Sequence, residues 1–123
     1  MTHFDQGISS LVNARHVIAG GSNAQRTTIY NPAIDKPIAG QNMQIPRGYQ
    51  SLTILSNSKA FTTGGSWSSA KDEKASEIFN SLANTWTVLS GADVGSLLTC
   101  GHEGAFRTDN HAWLIPWRDS LVF

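Results

Sequence analysis

Two diglycines, Gly20-Gly21 and Gly64-Gly65, stand 44 residues apart (64 − 20), and each closes a short run of strand-forming residues. The runs are Arg15-His16-Val17-Ile18-Ala19 and Lys59-Ala60-Phe61-Thr62-Thr63. A recurrence of roughly 40–50 residues belongs to arrays of small antiparallel sheets, in which one unit repeats along the chain. A diglycine suits the end of such a strand because it lets two backbones approach closely and accepts positive φ. Each unit then continues with a further strand: Thr27-Thr28-Ile29-Tyr30 leads into Asn31-Pro32, and Ala75-Ser76-Glu77-Ile78-Phe79 leads into Asn80-Ser81. Seven residues after Tyr30 stands Pro37, and seven after Phe79 stands Trp86. Trp86, ahead of Thr87-Val88-Leu89, is expected in the core between adjacent units.

The bulk properties agree with an all-β chain and close off several functions. Apolar residues make up 40% and charged residues 15%, with 11 glycines in 123 residues, a balance that favours strands and turns over helices. The formal net charge is zero, so the basic stripe of a nucleic-acid-binding surface is missing. No apolar run approaches the roughly 18 residues that span a bilayer, which argues against a membrane partner. The first residues, Met1-Thr2-His3-Phe4-Asp5, lack the basic and apolar regions of a secretory signal. Cys100 is the single cysteine, so no disulfide forms within the chain.

The second diglycine belongs to the stretch richest in chemistry. Arg47-Gly48-Tyr49-Gln50-Ser51 opens a strand, Ser56-Asn57-Ser58 turns it, and the return strand ends at Gly64-Gly65-Ser66-Trp67. This hairpin is expected to bring Tyr49 and Trp67 to the same strand end with their rings close together. A phenol beside an indole can serve as a site; an ordinary pair of sheet aromatics satisfies the same pattern.

Arg-Gly-Tyr-Gln-Ser followed by Gly-Gly-Ser-Trp-Ser strongly resembles the Kelch propeller of the galactose oxidase family of copper-radical alcohol oxidases. Phe4 with Gly7-Ile8-Ser9, Ala19-Gly20-Gly21-Ser22-Asn23, Asn42-Met43-Gln44 and Asp109-Asn110-His111-Ala112-Trp113-Leu114 resemble the same family in the same order, so the likeness runs along almost the whole chain. It implies an all-β, Kelch-type β-propeller fragment over residues 1–123: about two antiparallel four-stranded blades, near 11–46 and 47–92, plus partial neighbours. It also implies copper as cofactor, a carbohydrate or other primary alcohol as partner of a longer parent, and an extracellular location.

The resemblance assigns roles residue by residue. Tyr49 stands at the position of the radical tyrosine, which also ligates the metal, and Trp67 at the position of the tryptophan that covers it. Phenolate oxygen suits Cu(II), and an indole cover excludes water. Arg107, 40 residues beyond Trp67, keeps the spacing of the family arginine that binds substrate, and its five donors suit hydroxyl groups. A surface or structural arginine satisfies the same spacing. One position departs from the family. Where the family reads Phe-Cys-Pro-Gly-Ile-Ser, this chain reads Phe4-Asp5-Gln6-Gly7-Ile8-Ser9, so Asp5 replaces the cysteine that crosslinks to the tyrosine. The family's second tyrosine and two histidine ligands lie further toward the C-terminus, and His3, His16, His102 and His111 show no metal-ligand spacing. The chain is therefore expected to be inactive and to bind copper weakly by itself. The other reading is a Kelch module that binds carbohydrate or protein without catalysis.

Overall fold

The computed structural model describes residues 6–22, 24–65, 74–93, 115–117 and 120–122. All regular elements among them are strands. The first sheet holds β1 (Gln6–Ser10), β2 (His16–Gly20), β3 (Thr27–Asn31) and β4 (Lys36–Ala39). The second holds β5 (Ser51–Ile54), β6 (Ala60–Thr63), β7 (Ala75–Asn80) and β8 (Thr85–Asp93). Each is antiparallel with its strands in sequence order, as the blade pattern requires. A short antiparallel pair, β9 (Ile115–Trp117) and β10 (Ser120–Val122), follows. Among the described residues no helix is long and apolar enough to cross a membrane.

The repeat holds at the level of single turns. In the β1–β2 hairpin, Leu11 N–H donates to Arg15 O at 2.7 Å and Ala14 takes φ 59°. In the β5–β6 hairpin, Leu55 N–H donates to Lys59 O at 2.8 Å and Ser58 takes φ 66°. Asn13 and Asn57 each accept from the backbone two residues on, at 3.3 and 3.2 Å, the side-chain mimicry that makes asparagine a turn former. All these pairs keep the 44-residue offset. Beyond the diglycines the offset becomes 49: Tyr30 pairs with Pro37 as Phe79 pairs with Trp86, and Asn31 and Asn80 cap the two turns. The second unit therefore carries 49 − 44 = 5 additional residues between its diglycine and its third strand, in the segment that contains Trp67.

The first sheet begins at Gln6. Ile8 pairs with Ile18 and Ser10 with His16, so β1 is the edge strand beside β2 in the first sheet. The reason is the tight turn at 11–15, which folds the residues before it back onto the same sheet.

The core lies where the two sheets meet. Val17, Ala19 and Ile29 from the first sheet and Ala60, Phe79 and Trp86 from the second are buried together with Leu11 and Met43, and Leu52 and Ile54 pack against them. The Phe79 and Trp86 rings lie 5.0 Å apart, tilted by 35°, an arrangement within the favoured range for aromatic pairs. Trp86 thus occupies the inter-unit core, as its position in the repeat predicts.

Candidate active site around Tyr49

The turns at 11–15, 32–35, 55–59 and 81–84 lie at one end of the two four-stranded sheets, and the two diglycines lie at the other. Tyr49 belongs to the diglycine end. It directly precedes β5, whose first residue Ser51 pairs with Thr63, the last residue of β6. The chain leaves β6 through Gly64 and Gly65, at φ 72° and 86°, and runs on toward Trp67. Gly48 N–H donates to Gly65 O at 3.1 Å, so the residue before Tyr49 is fastened to that exit. A methyl group at Gly65 would lie 2.7 Å from Gln50 Cβ and 3.0 Å from Gly48 O. Only glycine allows this approach.

Tyr49 itself is half-buried and takes φ 61°. A bulky residue holds that conformation only where its surroundings impose it. They do so on both sides. Gln50 is buried, and its Nε2 donates to Ala19 O in the first sheet while its Oε1 has no hydrogen-bond partner among the described residues. The Gln50 amide fills the space over Gly20, where any Cβ would collide with it.

Arg47 is the hub of the other side. Its backbone carbonyl accepts from Gly21 N–H at 2.9 Å and its N–H donates to Ala24 O at 3.0 Å. Its side chain donates from Nη1 to Gly64 O at 2.8 Å and from Nη2 to Ala75 O. One residue therefore touches both diglycines. Its guanidinium is fully buried and pairs with the equally buried Glu77, Nε and Nη2 both reaching Oε2 at 3.1 and 3.0 Å. Burial pushes the Arg47 pKa below its ordinary value, and the Glu77 carboxylate opposes that shift. Glu77 also accepts from Gln44 N–H at 2.8 Å through Oε1. Lys74 Nζ completes the stitching, donating to Pro46 O at 2.6 Å and Gly65 O at 2.9 Å.

The sequence singled out Tyr49 but gave Arg47, Gln50, Lys74 and Glu77 no function. The one available signal was a charge at a core-facing strand position: Glu77 is two residues from Phe79 and shares its face. Trp67, Arg107 and Asp5 lie outside the described residues, so their distances from Tyr49 form no part of this geometry. Among the described residues no three His, Cys, Asp or Glu side chains group as a metal site. The other tyrosine, Tyr30, sits at the opposite end, where its hydroxyl donates to Asp35 Oδ1 at 2.6 Å and its ring stacks on His16.

No family model matches the chain. It is, however, 42% identical over 120 residues to galactose oxidase from Gibberella zeae, and a second galactose oxidase sequence from that fungus gives the same identity. The alignment takes in 98% of this chain. Over nearly its whole length, then, this chain is similar to one portion of galactose oxidase. It spans 18% of the length of those relatives. A solved structure described as a novel fungal alcohol oxidase with catalytic diversity among the AA5 family, in complex with copper, superposes with a TM-score of 0.82 at 37% identity. That match covers 95% of this chain and 24% of the other. The two four-stranded sheets are thus a portion of a galactose-oxidase-type fold.

Proposed function

We propose that this chain is the Tyr49-bearing part of a copper-dependent alcohol oxidase that converts a primary alcohol and dioxygen to an aldehyde and hydrogen peroxide. Tyr49 supplies a phenol oxygen to the metal, Trp67 covers its ring, and Arg107 binds substrate hydroxyl groups. Copper, when bound, supplies a one-electron redox centre. The observation that carries the reading is the enforced conformation of Tyr49, clamped at φ 61° between Gly48 and Gln50 at the diglycine end. A tyrosine needed only for packing has no use for that constraint. Secretion of the parent goes with this reading.

The fit to copper is partial. Tyr49 presents one oxygen donor, and a phenol with an ordinary pKa of about 10 stays protonated at neutral pH unless other donors and the metal displace its proton. The chain alone is therefore inactive and binds copper weakly. Equilibrium dialysis against Cu(II), with a peroxide assay on primary alcohols, tests this: tight stoichiometric copper or peroxide formation by the isolated chain overturns it. The positive side is tested by placing this chain, with Asp5→Cys to supply the sulfur of the family pattern, in the Gibberella zeae galactose oxidase in place of the matching segment. Peroxide formation that survives Tyr49→Phe in that protein removes Tyr49 from the site. Asp5 at the cysteine position favours a second reading, a non-catalytic module that binds carbohydrate or protein. Carbohydrate binding by the segment-swapped protein without peroxide formation would select it.

A further inference from the structure

The loop that carries Tyr49 and the exit of β6 that leads to Trp67 are joined by four hydrogen bonds: Gly48 N–H to Gly65 O, Arg47 Nη1 to Gly64 O, and Lys74 Nζ to both Pro46 O and Gly65 O. Behind them stands the Arg47–Glu77 pair, both side chains fully buried. Stability alone does not call for such a pair, because apolar residues of similar volume commonly replace a buried ion pair at no loss. What the pair adds is direction. The Arg47 fork spends its donors on Glu77, Gly64 O and Ala75 O, leaving the guanidinium one orientation, and Glu77 is fixed in turn by Gln44 N–H.

We infer that Arg47 and Glu77 are positioning residues: the buried pair sets the spacing between the Tyr49 loop and the Gly64–Gly65 exit, and through it the placement of Tyr49 at the diglycine end. The inference rests on the reading of Tyr49 as the site's phenol. It explains why a fully buried arginine stands two residues before that tyrosine while its side chain reaches a different strand. It also explains why a carboxylate interrupts the core-facing side of β7 beside Phe79.

The test replaces the pair with an apolar one, Arg47→Met with Glu77→Leu, and reads hydrogen exchange at the Gly48 amide, whose acceptor is Gly65 O. Amides of β2 and β3 serve as the internal reference, and the thermal midpoint is measured alongside. The expected result is a Gly48 amide that exchanges at least tenfold faster while the reference amides and the midpoint hold. Unchanged Gly48 protection in the folded double variant overturns the proposal. Should the double variant fail to fold, Arg47→Lys keeps the charge and loses the fork, and the same two outcomes at Gly48 decide. In the segment-swapped oxidase the apolar pair is expected to lower kcat at least tenfold with KM within twofold; a loss of folded protein with kcat per molecule unchanged marks a purely structural pair. A swapped oxidase that stays inactive even with Asp5→Cys speaks against the proposed function, and the exchange measurement still decides the positioning role.

Discussion

The indole N–H of Trp86 donates to Thr27 Oγ1 at 3.0 Å, joining the last strand of one sheet to the third strand of the other. Both residues are buried. Thr27→Val keeps the shape but leaves the indole N–H without its acceptor, a loss expected at about 1–3 kcal/mol. Trp86→Phe removes the donor and some packing together. In a urea double-mutant cycle the two changes should be less than additive, with a coupling of about 0.5–3 kcal/mol. Strict additivity would show that the seam is held by packing alone.

Two glycines with the same backbone demand separate strain from collision. Gly65 and Gly91 take φ 86° and 84°, yet among the described residues a methyl group at Gly91 meets nothing within 4 Å whereas at Gly65 it meets Gln50, Gly48 and Arg47. Gly91→Ala should cost about 1–2 kcal/mol, the ordinary penalty for an L-residue in this region. Gly65→Ala should exceed it by a further 1–3 kcal/mol or so, because backbone on the Tyr49 loop must move. Equal losses for the two variants would mean the Tyr49 loop yields freely.

The contrast between these glycines also shows what a sequence reader can and cannot see. The repeat was legible because its marks are local: a diglycine after each β-branched run, an asparagine at each turn, and Pro37 and Trp86 at one spacing. Such features are fixed by backbone conformations that few residues accept. Membership of β1 in the first sheet was less legible, since the short stretch Gly7-Ile8-Ser9 carries no mark of the repeat that fixes which unit it joins. The hub under Tyr49 was barely legible, its one trace being Glu77 on the face of Phe79. Arg47 and Glu77 are 30 residues apart, and each taken singly looks like a solvated charge. Only the fold shows that both are buried, and that the same arginine reaches both diglycines.

Tyr30 offers a test by pH. Its hydroxyl donates to Asp35, and this hydrogen bond, together with the carboxylate's charge, raises the phenol's pKa above the ordinary 10. A pKa raised in the folded state means that the bond's contribution is complete below the unfolded value of about 10 and is lost as pH climbs through the raised one. Tyr30 should ionise above the ordinary range in a phenolate absorbance titration, and Asp35→Asn should bring it back toward that range. A titration curve unmoved by Asp35→Asn would show that the hydrogen bond is not kept in solution.

The last prediction concerns Asp5. In the family pattern this position holds the cysteine whose sulfur joins the site tyrosine, and a carboxylate cannot make that bond. With Tyr49 as the site phenol, a segment-swapped oxidase carrying the native Asp5 should form little peroxide even when loaded with copper, because the unlinked phenol is harder to oxidise. Asp5→Cys should restore the link: a carbon–sulfur bond forms between the new thiol and the Tyr49 ring, one hydrogen leaves each partner, and dioxygen accepts the two electrons. Mass spectrometry of the peptide pair would report the loss of two hydrogens, and the product should require both copper and oxygen. Tyr49→Phe in the Asp5→Cys background supplies the control, since a ring without the hydroxyl should not crosslink. Two results would count against this account. Full activity with Asp5 in place would mean that the thioether is dispensable in this chain. A crosslink that forms equally well on Tyr49→Phe would mean that the sulfur reaches some other residue, and that Tyr49 is not its neighbour.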